Sequence, residues 1–286
     1  MEEEVLTHYH CNICNTEFSV PSSMNSASCV FCQSKNVQKL DTIDYSDYLS
    51  LPYVDTLNDA KKDYRSKIRF NPFLPLVFRK KKTIDGIKKL YLPCMLYNVD
   101  VNGKVSFFGL DEVQNVKMIP KQTFESEFQI NIPYDNVLVC GFKEVSDAML
   151  STVNDFNYSV LEEFNSKNNK DIYLIPMNED VEKEKEEVMN QIMKHSLSIV
   201  RDTVPHQKKK LKENQLKLDI KNSQKVMVPV YFLRVEYKGK DYFYLMNGHT
   251  GESTIDYASS TISMIVFSIL VFLIILGLLI VFSIYF

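Results

Sequence analysis

The sequence predicts an α+β fold carried on one membrane-spanning helix. Three observations predict it: a C-terminal run from Ile262 to Phe286 without a charged residue, two Cys-x-x-Cys pairs within the first 32 residues, and apolar strand–turn patterns that recur through the body of the chain. As a helix the run would cover about 37 Å, against roughly 30 Å for the hydrocarbon core of a bilayer. It lacks the polar face that a helix on a soluble core carries. The expectation is a single-pass anchor over residues 258–286 and a body, residues 1–257, held at one membrane surface.

The remaining bounds are weaker. A net charge of −3 over 286 residues is too small to dictate a partner, and Trp is absent. The first residues, Met1-Glu2-Glu3-Glu4, are acidic and lack the apolar stretch of a secretory signal. The expected arrangement is therefore a tail-anchored protein of the cell membrane with its body in the cytosol. Cysteines there stay reduced, so the six present are expected to be ligands or buried thiols rather than disulfides. Glu252 and Asp256 beside the anchor give this orientation no positive-inside support.

Cys11-Asn12-Ile13-Cys14 and Cys29-Val30-Phe31-Cys32 carry the sharpest chemical signal. Two residues between the cysteines let the backbone curl so that both sulfurs point the same way. Two such pairs bring four thiolates to one tetrahedral ion. Glu17-Phe18-Ser19-Val20 alternates like a strand, and Pro21-Ser22-Ser23 turns it. The pattern is that of a zinc ribbon over residues 1–40, with Cys11, Cys14, Cys29 and Cys32 binding Zn2+. A Gly in a positive-φ position usually follows the second Cys of each knuckle; here Asn15 and Gln33 stand there. His8 and His10 are surplus to four ligands and are expected to be exposed.

Residues 41–60, with Asp41, Asp44, Asp47 and Asp55, read as a partly ordered acidic linker. Residues 61–89 reverse the sign, with eleven basic residues against Asp63 and Asp85, and Tyr64, Phe70, Phe73 and Phe78 interleaved. A basic belt with aromatics binds phosphates of lipid or nucleic acid, or is simply a solvated face. Arg79, Lys80, Lys81 and Lys82 are its candidate contacts with an anionic surface.

An internal repeat follows. Residues 90–107 align without a gap on 226–243, matching Pro93 to Pro229, Val99 to Val235, Gly103-Lys104 to Gly239-Lys240 and Phe107 to Phe243. Asn102-Gly103 and Lys238-Gly239 are hairpin turn signals. The expectation is two equivalent β-hairpins, 90–109 and 226–245, in a body spanning 41–257. Between them, residues 134–139 and 171–176 read as strands; the second hairpin continues into a tight turn with two glycines, Asn247 to Gly251, and then Glu252 to Ile255. Ser146 is placed to cap a short helix, 147–153. Asn178 is placed to cap a longer one, ended by Pro205, with Val181, Val188, Ile192, His195 and Ile199 on one stripe. The lysines of 208–217 suggest a further, exposed helix.

The zinc ribbon, the basic Pro-Phe segment, YLPCMLYNVDVNGKVSFFG, YDNVLVCGFKEVSDAMLSTVNDFNYSVLEEF, VMVPVYFLRVEYKGKDYFYLMNGHTGE and the apolar tail together resemble a bacterial, mostly Gram-positive family. Its members are called TFIIB-type zinc-ribbon proteins, sometimes labelled primosomal-helicase-like. The resemblance spans nearly the whole chain and implies a membrane-anchored zinc-ribbon protein without a reaction to carry over. Where the family has P-x-W and N-G-Q-T-G-K, this chain has Pro229-Val230-Tyr231 and Asn247-Gly248-His249-Thr250-Gly251-Glu252. It has also lost the Pro and Gly of the family's Cys-Pro-x-Cys-Gly knuckles.

Catalytic motifs are missing. Neither Gly-Lys pair has the P-loop context, and the chain contains no G-x-G-x-x-G, G-x-S-x-G or H-E-x-x-H. His195 is expected to pack in a core or groove, His249 to serve a turn, and Cys94 and Cys140 to be small core residues; no catalytic residue is assigned. The expected function is a binding or scaffold protein, not an enzyme, that recruits a protein partner to the membrane. The alternative is a nucleic-acid binder using the ribbon and the segment 61–89.

Overall fold

The computed structural model describes residues 6–24, 27–110, 123–140, 149–150, 155–165, 171–177, 180–204 and 208–285. The strands in chain order are β1 Leu6–Cys11, β2 Glu17–Pro21, β3 Val37–Lys39, β4 Leu49–Ser50, β5 Lys88–Leu110, β6 Thr123–Cys140, β7 Glu162–Glu163, β8 Ile172–Leu174, β9 Lys208–Asn214, β10 Lys217–Tyr237, β11 Lys240–Asn247 and β12 Ser253–Ile255. Among the described residues the helices are α1 Leu57–Arg69, α2 Lys81–Ile84, α3 Asp180–Thr203 and α4 Thr261–Tyr285, with 3₁₀ turns at Leu76–Arg79 and Tyr158–Val160. The chain is thus mixed α+β, with an apolar C-terminal helix long enough to cross a membrane. It forms two compact units. One comprises residues 1–92, 143–176 and 227–286; the other comprises 93–142 and 177–226.

In the first unit the strand order is β12-β11-β10-β5-β8-β2-β1-β3. The β10–β11 hairpin is the turn the sequence predicts: Tyr237 pairs with Lys240, and Lys238 and Gly239 both take positive φ, 53° and 71°. That backbone twist suits a two-residue connection. Helix α1 starts where Thr56 and Asp59 cap each other's amides, and it lays Ala60, Tyr64 and Ile68 onto Tyr231, Leu233 and Tyr244 of the sheet. Leu74, Phe78, Ile84 and Ile87 complete this core. Residues 41–60 are not a linker. Tyr45, Tyr48 and Leu51 are buried, because each aromatic finds a wall: Tyr45 meets Tyr48 and Phe164, and Tyr53 meets Tyr91 and Tyr231. The Tyr53 hydroxyl lies 2.9 and 3.0 Å from the carbonyl oxygens of Leu90 and Val230, tying two strands together.

The second unit is built on the rest of β5. No turn occurs at Asn102-Gly103: β5 runs through them, pairing antiparallel with β6 from Cys94↔Cys140 to Leu110↔Thr123 and with β9 from Val105 to Leu110. The first expected hairpin is therefore one continuous strand. Gly103 serves close approach instead, since a Cβ there would sit 2.3 Å from the Gln215 carbonyl oxygen. The lysine-rich residues 208–214 form β9 rather than a helix, because ladder pairing with β5 overrides local preference.

Helix α3 buries Val181, Ile192, Ser196 and Val200. His195 and Ile199 of the expected stripe fall outside it; His195 is exposed, and its ring packs against Tyr134, whose hydroxyl is 3.1 Å from Nδ1. The cap at Ser146, the cap at Asn178 and the stop at Pro205 lie outside the described residues.

Cys94 and Cys140 are not separate core thiols. They face each other across β5 and β6, 4.2 Å apart at Cα, and are joined as a disulfide. The partner lies 46 residues away and is set only by strand register.

Candidate metal centre and basic cleft

The four knuckle cysteines meet at the end of the β1–β2 hairpin. Each pair sits in the same backbone curl. The Cys11 amide donates to the Thr16 carbonyl (2.9 Å) and the Asn15 amide to the Cys11 carbonyl (2.9 Å). The Cys29 amide donates to Ser34 (2.8 Å) and the Gln33 amide to Cys29 (3.0 Å). Closing each curl needs a positive φ after the second cysteine, and Asn15 and Gln33 supply it at 56° and 58°. Asn visits that region readily; Gln does so at a cost.

The four sulfurs lie within 4.8 Å of one another, with Cys11–Cys32 at 3.5 Å and Cys14–Cys29 at 3.4 Å. This set can hold a metal ion. The thiols are not equivalent. Burial pushes Cys11 up, but the backbone amides of Cys14 and Ile13 and the neighbouring thiols outweigh it and bring it down to about 7. Burial dominates at Cys29 and Cys32 and raises both. Arg234, paired with Asp241 at 2.7 Å, is near enough to feel Cys14 and Cys32 and offsets thiolate charge. His8 is buried, correcting its expected exposure: its ring nitrogens lie 3.0 Å from the Ser19 hydroxyl and 3.3 Å from the Glu17 carboxylate. Residue spacing gave no hint of that, because Glu17 joins the site only through the β1–β2 register.

Of the belt aromatics, Tyr64 and Phe78 are core, Phe73 is half-buried and Phe70 is exposed. The expected quartet divides. The Arg79 guanidinium donates to the carbonyls of Arg69 and Asn71. Lys81 and Lys82 instead line an open cleft of about 560 Å3 with Lys88, Asp85 and, from the second knuckle, Ser28, Gln33 and Lys35. Lys61 pairs with Asp85 at 2.9 Å and holds its carboxyl below the usual range, so the cleft keeps a basic balance. Lys35 was not legible as part of this site, since only the fold sets it beside the belt.

His249 serves its turn: Nδ1 is 3.2 Å from the Pro52 carbonyl oxygen. The turn's organiser is Asn247, which sequence reasoning passed over. It is fully buried, and its side-chain oxygen accepts from the amides of His249 and Thr250. No family model, curated protein or solved structure matches this chain.

Proposed function

We propose that this chain is a membrane-anchored zinc-ribbon protein, not itself an enzyme, whose body faces the cytosol and recruits a protein partner to the membrane. The observation that carries the reading is the closed four-cysteine cluster. Tetrahedral zinc with bonds of about 2.3 Å would space its sulfurs about 3.8 Å apart, within the range the four sulfurs span. Four thiolates leave no position for water or substrate, so the ion staples the β1–β2–β3 segment and presents its surface. Zinc suits an all-thiolate set, and a cytosolic body keeps those thiols reduced. Helix α4 supports the anchoring.

The test uses the full chain in detergent. Elemental analysis should find one zinc per chain, lost in Cys29→Ser. Crosslinking in intact membranes should yield a defined protein adduct that chelation abolishes. Zinc-free protein, or the same adduct from Cys29→Ser, would overturn the reading.

A second reading is favoured by one observation, the cleft in which Lys35 of the ribbon joins Lys81, Lys82 and Lys88 of the belt. It makes the protein a nucleic-acid binder. Anisotropy with single-stranded and duplex oligonucleotides would then show a salt-dependent affinity that falls in Lys81→Ala/Lys82→Ala. The same weak binding by wild type and variant would exclude it.

A further inference from the structure

We infer that residues 70–78, between α1 and α2, form a second membrane contact: an apolar wedge seated in the lipid headgroup layer beside the anchor. This rests on the reading of α4 as a membrane span. The segment is Phe-Asn-Pro-Phe-Leu-Pro-Leu-Val-Phe. Leu74 and Phe78 are core, whereas Phe70 and Leu76 project with 81% and 75% of their surface exposed. Large apolar side chains presented singly are ordinary. Two on one loop, at the foot of a spanning helix, are not isolated.

The loop is fixed to that foot. The Ser260 amide donates to the Phe73 carbonyl at 2.8 Å, and the Phe73 ring meets Phe267 edge-on at 5.2 Å. Tyr257 adds a hydroxyl on the Lys67 carbonyl at 3.2 Å. Phe267 lies about 9 Å along the helix from Thr261, so the loop sits level with the first turns of the span. Its backbone suits a poorly hydrated layer. Pro72 and Pro75 have no amide hydrogen, while the amides of Phe73, Leu74 and Phe78 bond within the loop. Arg79 covers the Asn71 carbonyl of the loop and the Arg69 carbonyl at the end of α1.

The flanks are cationic. The Arg69 guanidinium lies 5.1 Å over the Phe70 ring, and Arg79 and Lys80 are exposed at the other end. Apolar bodies with basic tips seat at the headgroup level, the tips on lipid phosphate. Lipid is the occupant because the apolar surface continues directly onto the helix that crosses it. The wedge would give the first unit a second point of attachment and so a set attitude to the bilayer, which a single tether does not impose.

The chain lacks Trp, so each engineered Trp reports one place. Full-length Phe70→Trp, Leu76→Trp, Leu270→Trp and Ile13→Trp variants are reconstituted in nanodiscs of phosphatidylcholine and phosphatidylglycerol whose acyl chains are brominated either near the glycerol or near the tip. Phe70→Trp and Leu76→Trp should be quenched by shallow bromine several-fold more than Ile13→Trp, which sits exposed on the first knuckle. Leu270→Trp should be quenched by deep bromine. If Leu270→Trp is quenched while Phe70→Trp and Leu76→Trp match Ile13→Trp, the wedge is wrong and the span stands. If Leu270→Trp is unquenched, both fall.

Discussion

Acidification should strip the metal steeply, with a slope that reports how many thiols bind it. Each ligating thiol must lose its proton, so with all four protonated the apparent affinity falls by about four log units per pH unit. Cys11 titrates at about 7 in the metal-free site, so above that pH it is already ionised and the slope relaxes to about three. Burial raises Cys29 and Cys32, which keeps their two protons in the count through neutral pH. The sign is fixed: affinity rises with pH and is lost as pH falls. Each log unit is about 1.4 kcal/mol of metal-derived stability when the ion is in excess, so one pH unit below 7 removes roughly 5–6 kcal/mol. A structural zinc supplies on the order of 10–16 kcal/mol in total. The assay is competition against a chromophoric chelator from about pH 6 to 8, with thermal unfolding followed in parallel. A slope near two would mean that only half the cysteines ligate and would refute the four-thiolate reading.

Two further substitutions probe the frame around the site. Gln33→Gly should stabilise the loaded chain in denaturant titration by roughly 0.5–1 kcal/mol, because it relieves a left-handed residue while adding some unfolded-state freedom; a loss would show that the Gln33 side chain matters more than its backbone. Gly248→Ala would place a Cβ 2.5 Å from the Tyr53 ring and should cost about 1–3 kcal/mol by overpacking the tyrosine cluster. Unchanged stability there would mean that Tyr53 is free to move away.

The candidate site was legible because its signal is local. Two residues between cysteines fix a knuckle, and Asn15 and Gln33 took the positive φ expected of a residue at that point. The apolar C-terminal run and the Lys238-Gly239 turn are local signals too, since each is set by adjacent residues. What failed depended on partners far along the chain. Asn102-Gly103 carries a stronger turn signal than Lys238-Gly239, yet β6 pairs with β5 straight through it, β9 pairs with β5 from Val105 onward, and the strand stays extended. The lysines of β9 have no apolar period to betray a strand; Lys212 finds Glu125 only after pairing. The cleft required Lys35 and Lys82 to meet across 47 residues of chain, and no spacing rule addresses that.

The six cysteines divide by geometry, and the division makes opposite demands on the compartment. A four-cysteine metal site needs its thiols reduced, as a reducing cytosol keeps them, whereas a persistent disulfide belongs to an oxidising compartment. Cys94 and Cys140 are joined in the structure, and once reduced their register lets them close again with only an oxidant required, to which half-buried Cys140 gives access. Cys11–Cys32 and Cys14–Cys29 are close enough to compete for it when metal-free. A bound ion removes that competition, since its thiolates are engaged and Cys29 is buried. Mild oxidation of zinc-loaded, fully reduced protein should therefore close the Cys94–Cys140 bond first, read by mass spectrometry of alkylated peptides, while the zinc stays bound. In Cys29→Ser, which cannot hold the ion, mixed disulfides should appear among Cys11, Cys14 and Cys32. Zinc release ahead of the Cys94–Cys140 bond would refute this order, and with it the compatibility of a cytosolic body with that cysteine pair.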